Sequence, residues 1–98
     1  MSWPARVVDV EHLGEHALRV GCSRGLVRDL DVGPALVGYL ACMRDDRHFA
    51  MVAVDEVAGT LSWPGGIDFD PDVLHGDAPP ASGESPTVLA ERHRYGAG

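Results

Sequence analysis

Three aspartates alternate in the C-terminal third of the sequence. Asp68, Asp70 and Asp72 have the D-x-D-x-D spacing that opens a calcium loop, where alternate oxygen ligands surround a hard cation. Such a loop also needs glycine at its sixth position and a bidentate glutamate at its twelfth. Those positions hold Val73 and Pro79. The plainer reading is a helix cap at Asp70 beside two solvated carboxylates. His12 and His16 are four apart, which on a helix would aim two imidazoles at one metal. Gly14 and the strand-like flanks argue against that helix, so solvated turn histidines are expected. Cys22 or Cys42 as a nucleophile would need a paired histidine and an electropositive setting. Cys22 instead lies on the apolar face of an expected strand, and Cys42 near an expected helix end. Pro64-Gly65-Gly66 is a break and not a G-x-G-x-x-G phosphate loop. Trp63 has the inward parity of a core residue. No metal, no cofactor and no catalytic constellation is expected.

The last candidate is the C-terminal segment. Arg92-His93-Arg94-Tyr95 has two cations that suit RNA or phosphate. On an acidic chain they are more simply solvated. Val88 and Leu89 are an apolar pair inside a polar stretch, the pattern of a segment that orders on a partner. Val88, Leu89, Arg92 and Tyr95 are therefore the expected partner-binding residues.

These residues sit in a chain of 98 with 15 acidic and 8 basic side chains, a net charge of −7. That length is one small domain. An apolar share of 45% is enough for a packed core. Negative charge disfavours direct binding to nucleic acid and favours a basic protein partner. No stretch has the roughly 18 uninterrupted apolar residues of a membrane span. Two cysteines without CxxC spacing, and an N-terminus without an apolar run, fit a reducing, cytoplasmic setting.

The elements that must position these residues follow from periodicity. Residues 5–10 (A-R-V-V-D-V) read as a strand and 11–15 as its exit turn. Residues 16–22 alternate, with Leu18, Val20 and Cys22 on one face. Ser23-Arg24-Gly25 suits a hairpin connection. Residues 26–32 return with a poor pattern that predicts a bulge or an edge position. Gly33-Pro34 predicts a helix start, with Leu36, Leu40 and Met43 as its stripe. Residues 49–55 are apolar on both faces and predict a central strand. Thr60 to Trp63 and residues 67–69 predict two more strands around the Pro-Gly-Gly turn. Asp70-Pro71 predicts a short last helix, with Phe69 and Leu74 at staple spacing. Residues 76–86 hold three Pro, two Gly and two Ser and read as a linker. Residues 87–95 are too short for a stable isolated helix and are expected to be disordered unless docked.

The stretch G-T-L-S-W-P-G-G-I-D-F-D-P-D-V-L at 59–74 resembles the closing signature of a small bacterial family of domains of unknown function, numbered twenty-four forty-two. Gly59, Thr60, Trp63, Pro64, Gly66, Asp68, Pro71 and Leu74 match. Gly65 stands where the family has Asn, and Phe69 where it has Leu. Gly25, Asp31-Val32-Gly33-Pro34, Phe49 and residues 52–55 resemble its upstream pieces, so the likeness spans 5–75. It implies a compact α+β domain and no particular reaction. It also implies relatives found beside a second small protein in a toxin–antitoxin-like arrangement, or fused to a helix-turn-helix.

The expected fold is thus α+β: a mostly antiparallel sheet of about five short strands packed on one helix, a short C-terminal helix and a disordered tail. Residues 1–75 would be the domain and 76–98 the linker and flexible tail. The expected function is a non-catalytic protein-interaction or regulatory module, the antitoxin-like half of a two-protein system being one form. The alternative is a small accessory subunit of an enzyme or larger complex, anchored through its C-terminal tail. A DNA-linked regulator and an enzyme rank below both.

Overall fold

The alternation of Leu18, Val20 and Cys22 builds the first sheet. The computed structural model describes residues 6–69, 73–74 and 84–93, apart from the side chains of Arg24 and Tyr39. In it, β2 (Ala17–Cys22) buries those three side chains. The flanking strands β1 (Val7–Gly14) and β3 (Leu26–Asp31) both pair with it antiparallel. The Ser23–Gly25 connection is a single 3-10 turn. β1 runs past the exit turn expected at 11–15, and only Glu15 and His16 remain as the turn into β2.

Strand β3 is neither bulged against β2 nor at an edge. Its pairing with β2 is unbroken from Ala17↔Asp31 to Gly21↔Val27. Its poor pattern arises because both of its faces are covered: Val27, Arg28, Asp29 and Leu30 are all buried.

The expected helix after Gly33-Pro34 does not form. The segment is two 3-10 pieces, Gly33–Ala35 and Gly38–Arg44. Gly38, the first residue of the second piece, takes φ +61°, a left-handed position that glycine adopts at little cost and that interrupts a continuous right-handed helix. Ala35, Leu36, Leu40 and Met43 still reach the core, because an apolar stripe can be buried by a 3-10 coil as by an α-helix.

The strand expected from 49 to 55 is also corrected. Its first residue ends a one-turn helix, α1 (Asp46–Phe49). Asp45 caps that turn, its carboxylate accepting from Arg47 N at 2.9 Å and His48 N at 3.4 Å. A strand, β4 (Ala53–Asp55), begins only later. It pairs with β5 (Thr60–Trp63), which pairs with β6 (Ile67–Phe69) across the Pro64–Gly66 turn. These three strands form a separate antiparallel sheet. Leu61 and Trp63 are buried, as their alternation predicts. The Asp70-Pro71 helix start lies outside the described residues; Val73 and Leu74 are helical and buried.

The largest correction concerns the tail. Thr87–His93 is strand β7, antiparallel to β3 from Asp31↔Thr87 to Leu26↔His93. The larger sheet therefore has the order β1-β2-β3-β7. A strand edge left open at β3 would expose a row of unpaired backbone groups, and the ladder to β7 satisfies them. Of the expected linker, residues 76–83 lie outside the described residues.

Over the described residues the chain is accordingly mostly β, with two antiparallel sheets of four and three strands, and the α+β expectation is overturned. The sheets are joined where Val7 N donates to Gly59 O at 2.8 Å. Phe49 lies at the junction, fully buried. Its ring is edge-on to His12 and His16 from the larger sheet and tilted against Trp63 from the smaller. The indole N–H of Trp63 donates to the Phe49 carbonyl at 2.9 Å. Among the described residues no helix is long and apolar enough to cross a membrane.

Candidate functional site

The face of the larger sheet opposite the core carries a row of alternating charge. Glu11 on β1, Arg19 on β2 and Asp29 on β3 stand opposite one another in register. The Arg19 guanidinium grips Asp29 through two hydrogen bonds, Nε to Oδ1 at 2.9 Å and Nη2 to Oδ2 at 3.1 Å. Such a planar, two-pronged pairing is the strong form of a charge-assisted contact. Glu11 approaches the other side of Arg19 at 3.7 Å, and Arg92 on β7 approaches Asp29 at 3.7 Å. The row thus crosses all four strands.

The hydrogen bonds from Arg19 hold the Asp29 carboxyl below its ordinary pKa; desolvation opposes this, and the charges of Arg19 and Arg92 reinforce it. A depressed carboxylate stabilises the fold above its unfolded pKa of about 3.9, and that contribution is lost as pH falls through the folded value. The urea midpoint of the native chain is expected to hold between neutral and mildly acidic pH and to drop below about pH 4. Asp29→Asn is expected to lower the neutral midpoint and make the acid drop shallower. Urea curves at a series of pH values check this; an acid drop as steep in the variant would contradict it.

Beyond this row, at the end of the sheet, the same face forms a trough of about 490 Å³. The end of β1 supplies Leu13 and Gly14, the turn supplies Glu15 and His16, and β2 supplies Ala17. Asp31 and Gly33 at the end of β3 form its floor, and Leu89 of β7 its far rim. Leu13 and Leu89 are both bulge residues. The register skips from His12 to Gly14 in β1 and from Ala90 to Val88 in β7. A bulge re-aims the extra side chain and is over-represented beside functional sites. Both leucines are exposed.

The trough wall is held firmly. Asp31 Oδ1 accepts from Gly33 N at 2.9 Å. Two histidine rings brace the turn. His12 Nε2 lies 2.8 Å from Glu15 O and His16 Nε2 lies 3.1 Å from Arg44 O, and a carbonyl oxygen only accepts, so each Nε2 is the protonated donor. Glu15 itself has φ +44°, a left-handed conformation that costs a non-glycine residue roughly 1 kcal/mol or more.

Val88 and Leu89 are exposed on β7, with Leu89 on the trough rim. Arg92 belongs to the charged row. Tyr95 lies outside the described residues, as do Asp70 and Asp72. His12 and His16 are drawn together by Phe49, each with its ring edge-on to it. His48 is elsewhere, its Nε2 donating to Pro64 O at 3.1 Å. Among the described residues no three His, Cys, Asp or Glu side chains gather as a metal site. Cys22 is buried in the core, Cys42 is exposed on the 3-10 segment, and Trp63 is core.

Sequence reasoning missed the charged row and the trough. The first was within reach. A three-residue connection at Ser23–Gly25 sets Cys22 opposite Leu26, which brings Arg19 opposite Asp29. The trough was not, because its far rim exists only once β7 has docked.

Comparison with family models, with curated proteins and with solved structures finds no match to this chain.

Proposed function

We propose that this chain is a non-catalytic protein-interaction module that receives an extended segment of its partner on the open edge of β7. One observation carries the reading: β7 is an edge strand. Among the described residues it pairs with β3 alone, and its seven side chains, Val88 and Leu89 included, are all exposed. An edge strand presents a row of backbone donors and acceptors that a partner strand can continue. The net charge of −7 favours a basic partner. The resemblance to the family numbered twenty-four forty-two belongs to the same reading, with the antitoxin-like half of a two-protein system as one form. A cytoplasmic setting is part of the proposal.

The test is affinity purification of the tagged chain from its native host. A stoichiometric protein is expected to co-purify with the native chain. With both Val88 and Leu89 replaced by Lys, the substitution natural edge strands use against pairing, capture is expected to fall at least tenfold. A native chain that brings down no stoichiometric partner, or a double variant that captures it undiminished, would sink the reading.

A further inference from the structure

We infer that the trough beside Leu89 is a recognition pocket for an arginine side chain of the docked partner segment. The inference rests on the edge-strand reading and adds what the partner must carry. When a strand adds to a sheet edge, its backbone supplies affinity and its alternate side chains supply specificity through pockets on the sheet face. A strand placed beside β7 has the trough as its neighbouring surface on the face opposite the core.

The lining of that surface selects the side chain. Leu13 and Leu89 make two apolar rims, and Ala17 between them leaves the room. Among the described lining residues the carboxylates are Glu15 and Asp31 and none is an arginine; the ring of His16, the other titratable group, is turned to the Arg44 carbonyl. Arg44 is close in the chain fold but donates to the carbonyls of Leu36 and Gly33 at 2.9 and 3.2 Å. Asp31 Oδ1 accepts from Gly33 N, and the second carboxylate oxygen can accept a further donor. Apolar walls leading to a carboxylate suit a side chain with an aliphatic stem and a cationic head. An anionic or neutral polar side chain would meet repulsion or leave the carboxylate unanswered.

Reach decides between the cations. Asp31 on β3 lies two strand spacings from a strand added outside β7, roughly 10 Å. An extended arginine, ending in several donors that act at about 2.9 Å, spans that interval over Leu89, whereas lysine is shorter and carries a single compact head. Glu15, also in the lining, adds negative potential. The cations of the adjoining charged row are engaged, Arg19 with Asp29 and Arg92 at 3.7 Å from the same carboxylate.

The experiment uses the full chain, isotope-labelled, titrated with the capped peptide Ser-Val-Arg-Val-Ser. Amide shifts are expected at residues 13–17, 31, 33 and 87–91. The same peptide with citrulline, which keeps the shape and loses the charge, is expected to bind at least tenfold more weakly. Glu15→Gln and Leu89→Ala, both at exposed positions, are each expected to weaken the arginine peptide threefold or more while leaving the spectrum of the free chain folded. Equal binding of the citrulline peptide, shifts centred elsewhere, or no binding at all would overturn the pocket. The two readings separate cleanly. A host partner captured equally well by the Glu15→Gln, Leu89→Ala double variant removes the pocket and leaves the module standing. Absence of any partner removes the module.

Discussion

Phe49→Ala is expected to leave the chain unfolded at room temperature. Phe49 is fully buried and joins the two sheets through ring contacts to His12, His16 and Trp63 at 5.3, 5.1 and 5.8 Å. Truncating a buried Phe to Ala costs about 3–5 kcal/mol, partly transfer and partly the cavity left behind. A domain of this size has only about 3–5 kcal/mol to lose. The cavity has little prospect of collapsing, since its walls are strands of two different sheets. Phe49→Leu, which keeps most of the volume, should fold with a loss of about 1.5 kcal/mol or less. Urea denaturation followed by near-ultraviolet circular dichroism checks both. A cooperative Phe49→Ala transition near the native midpoint would show that the sheets are held together elsewhere.

Arg28→Glu is expected to release β7 and cost about 3 kcal/mol or more. Arg28 sits on β3 with its side chain only 10% exposed, on the core side. Its Nη1 donates to Leu74 O at 2.9 Å. Its Nε lies 2.9 Å from Glu91 Oε1 on β7, an ion pair by distance but out of line for a hydrogen bond. A carboxylate in its place would face both a carbonyl oxygen and Glu91, a buried charge without a counter-charge. Glu91→Arg in the same chain reverses the pair across the Arg28↔Glu91 register position and should recover part of the loss, the coupling that a double-mutant cycle isolates. Hydrogen exchange at residues 87–93 reports the release directly. Protection that survives in Arg28→Glu, or a charge swap that recovers nothing, would refute the role given to this pair.

The charge pair is one of several polar contacts that hold β7. None of its residues belongs to the hydrophobic core. It is retained by the backbone ladder to β3 and by contacts of Glu91 and Arg92 with the adjacent residues Arg28 and Asp29, one on each face of the sheet. A strand held by polar contacts alone opens more readily than a core strand.

What the sequence determined by itself was local. The alternation at 16–22, the three-residue turn, the Thr60 to Trp63 strand and its Pro-Gly-Gly reversal each follow from the parity of a few neighbouring residues. Side chains of like parity share a face wherever the strand ends up. The tertiary structure decided the rest. Leu36, Leu40 and Met43 have helical spacing, but Gly38 and the packing around them fix a 3-10 path. Phe49 lies in an apolar run, but Asp45 caps it into a helical turn at the sheet junction. T-V-L-A-E-R-H is a strand because the edge of β3 lies open to it, a distant partner that no local pattern encodes. The Arg19–Asp29 pair follows from the hairpin turn, but Glu11 and Arg92 extend it into a row, and Leu13 and Leu89 enclose the trough, only when the first and last strands of the sheet are assembled beside it.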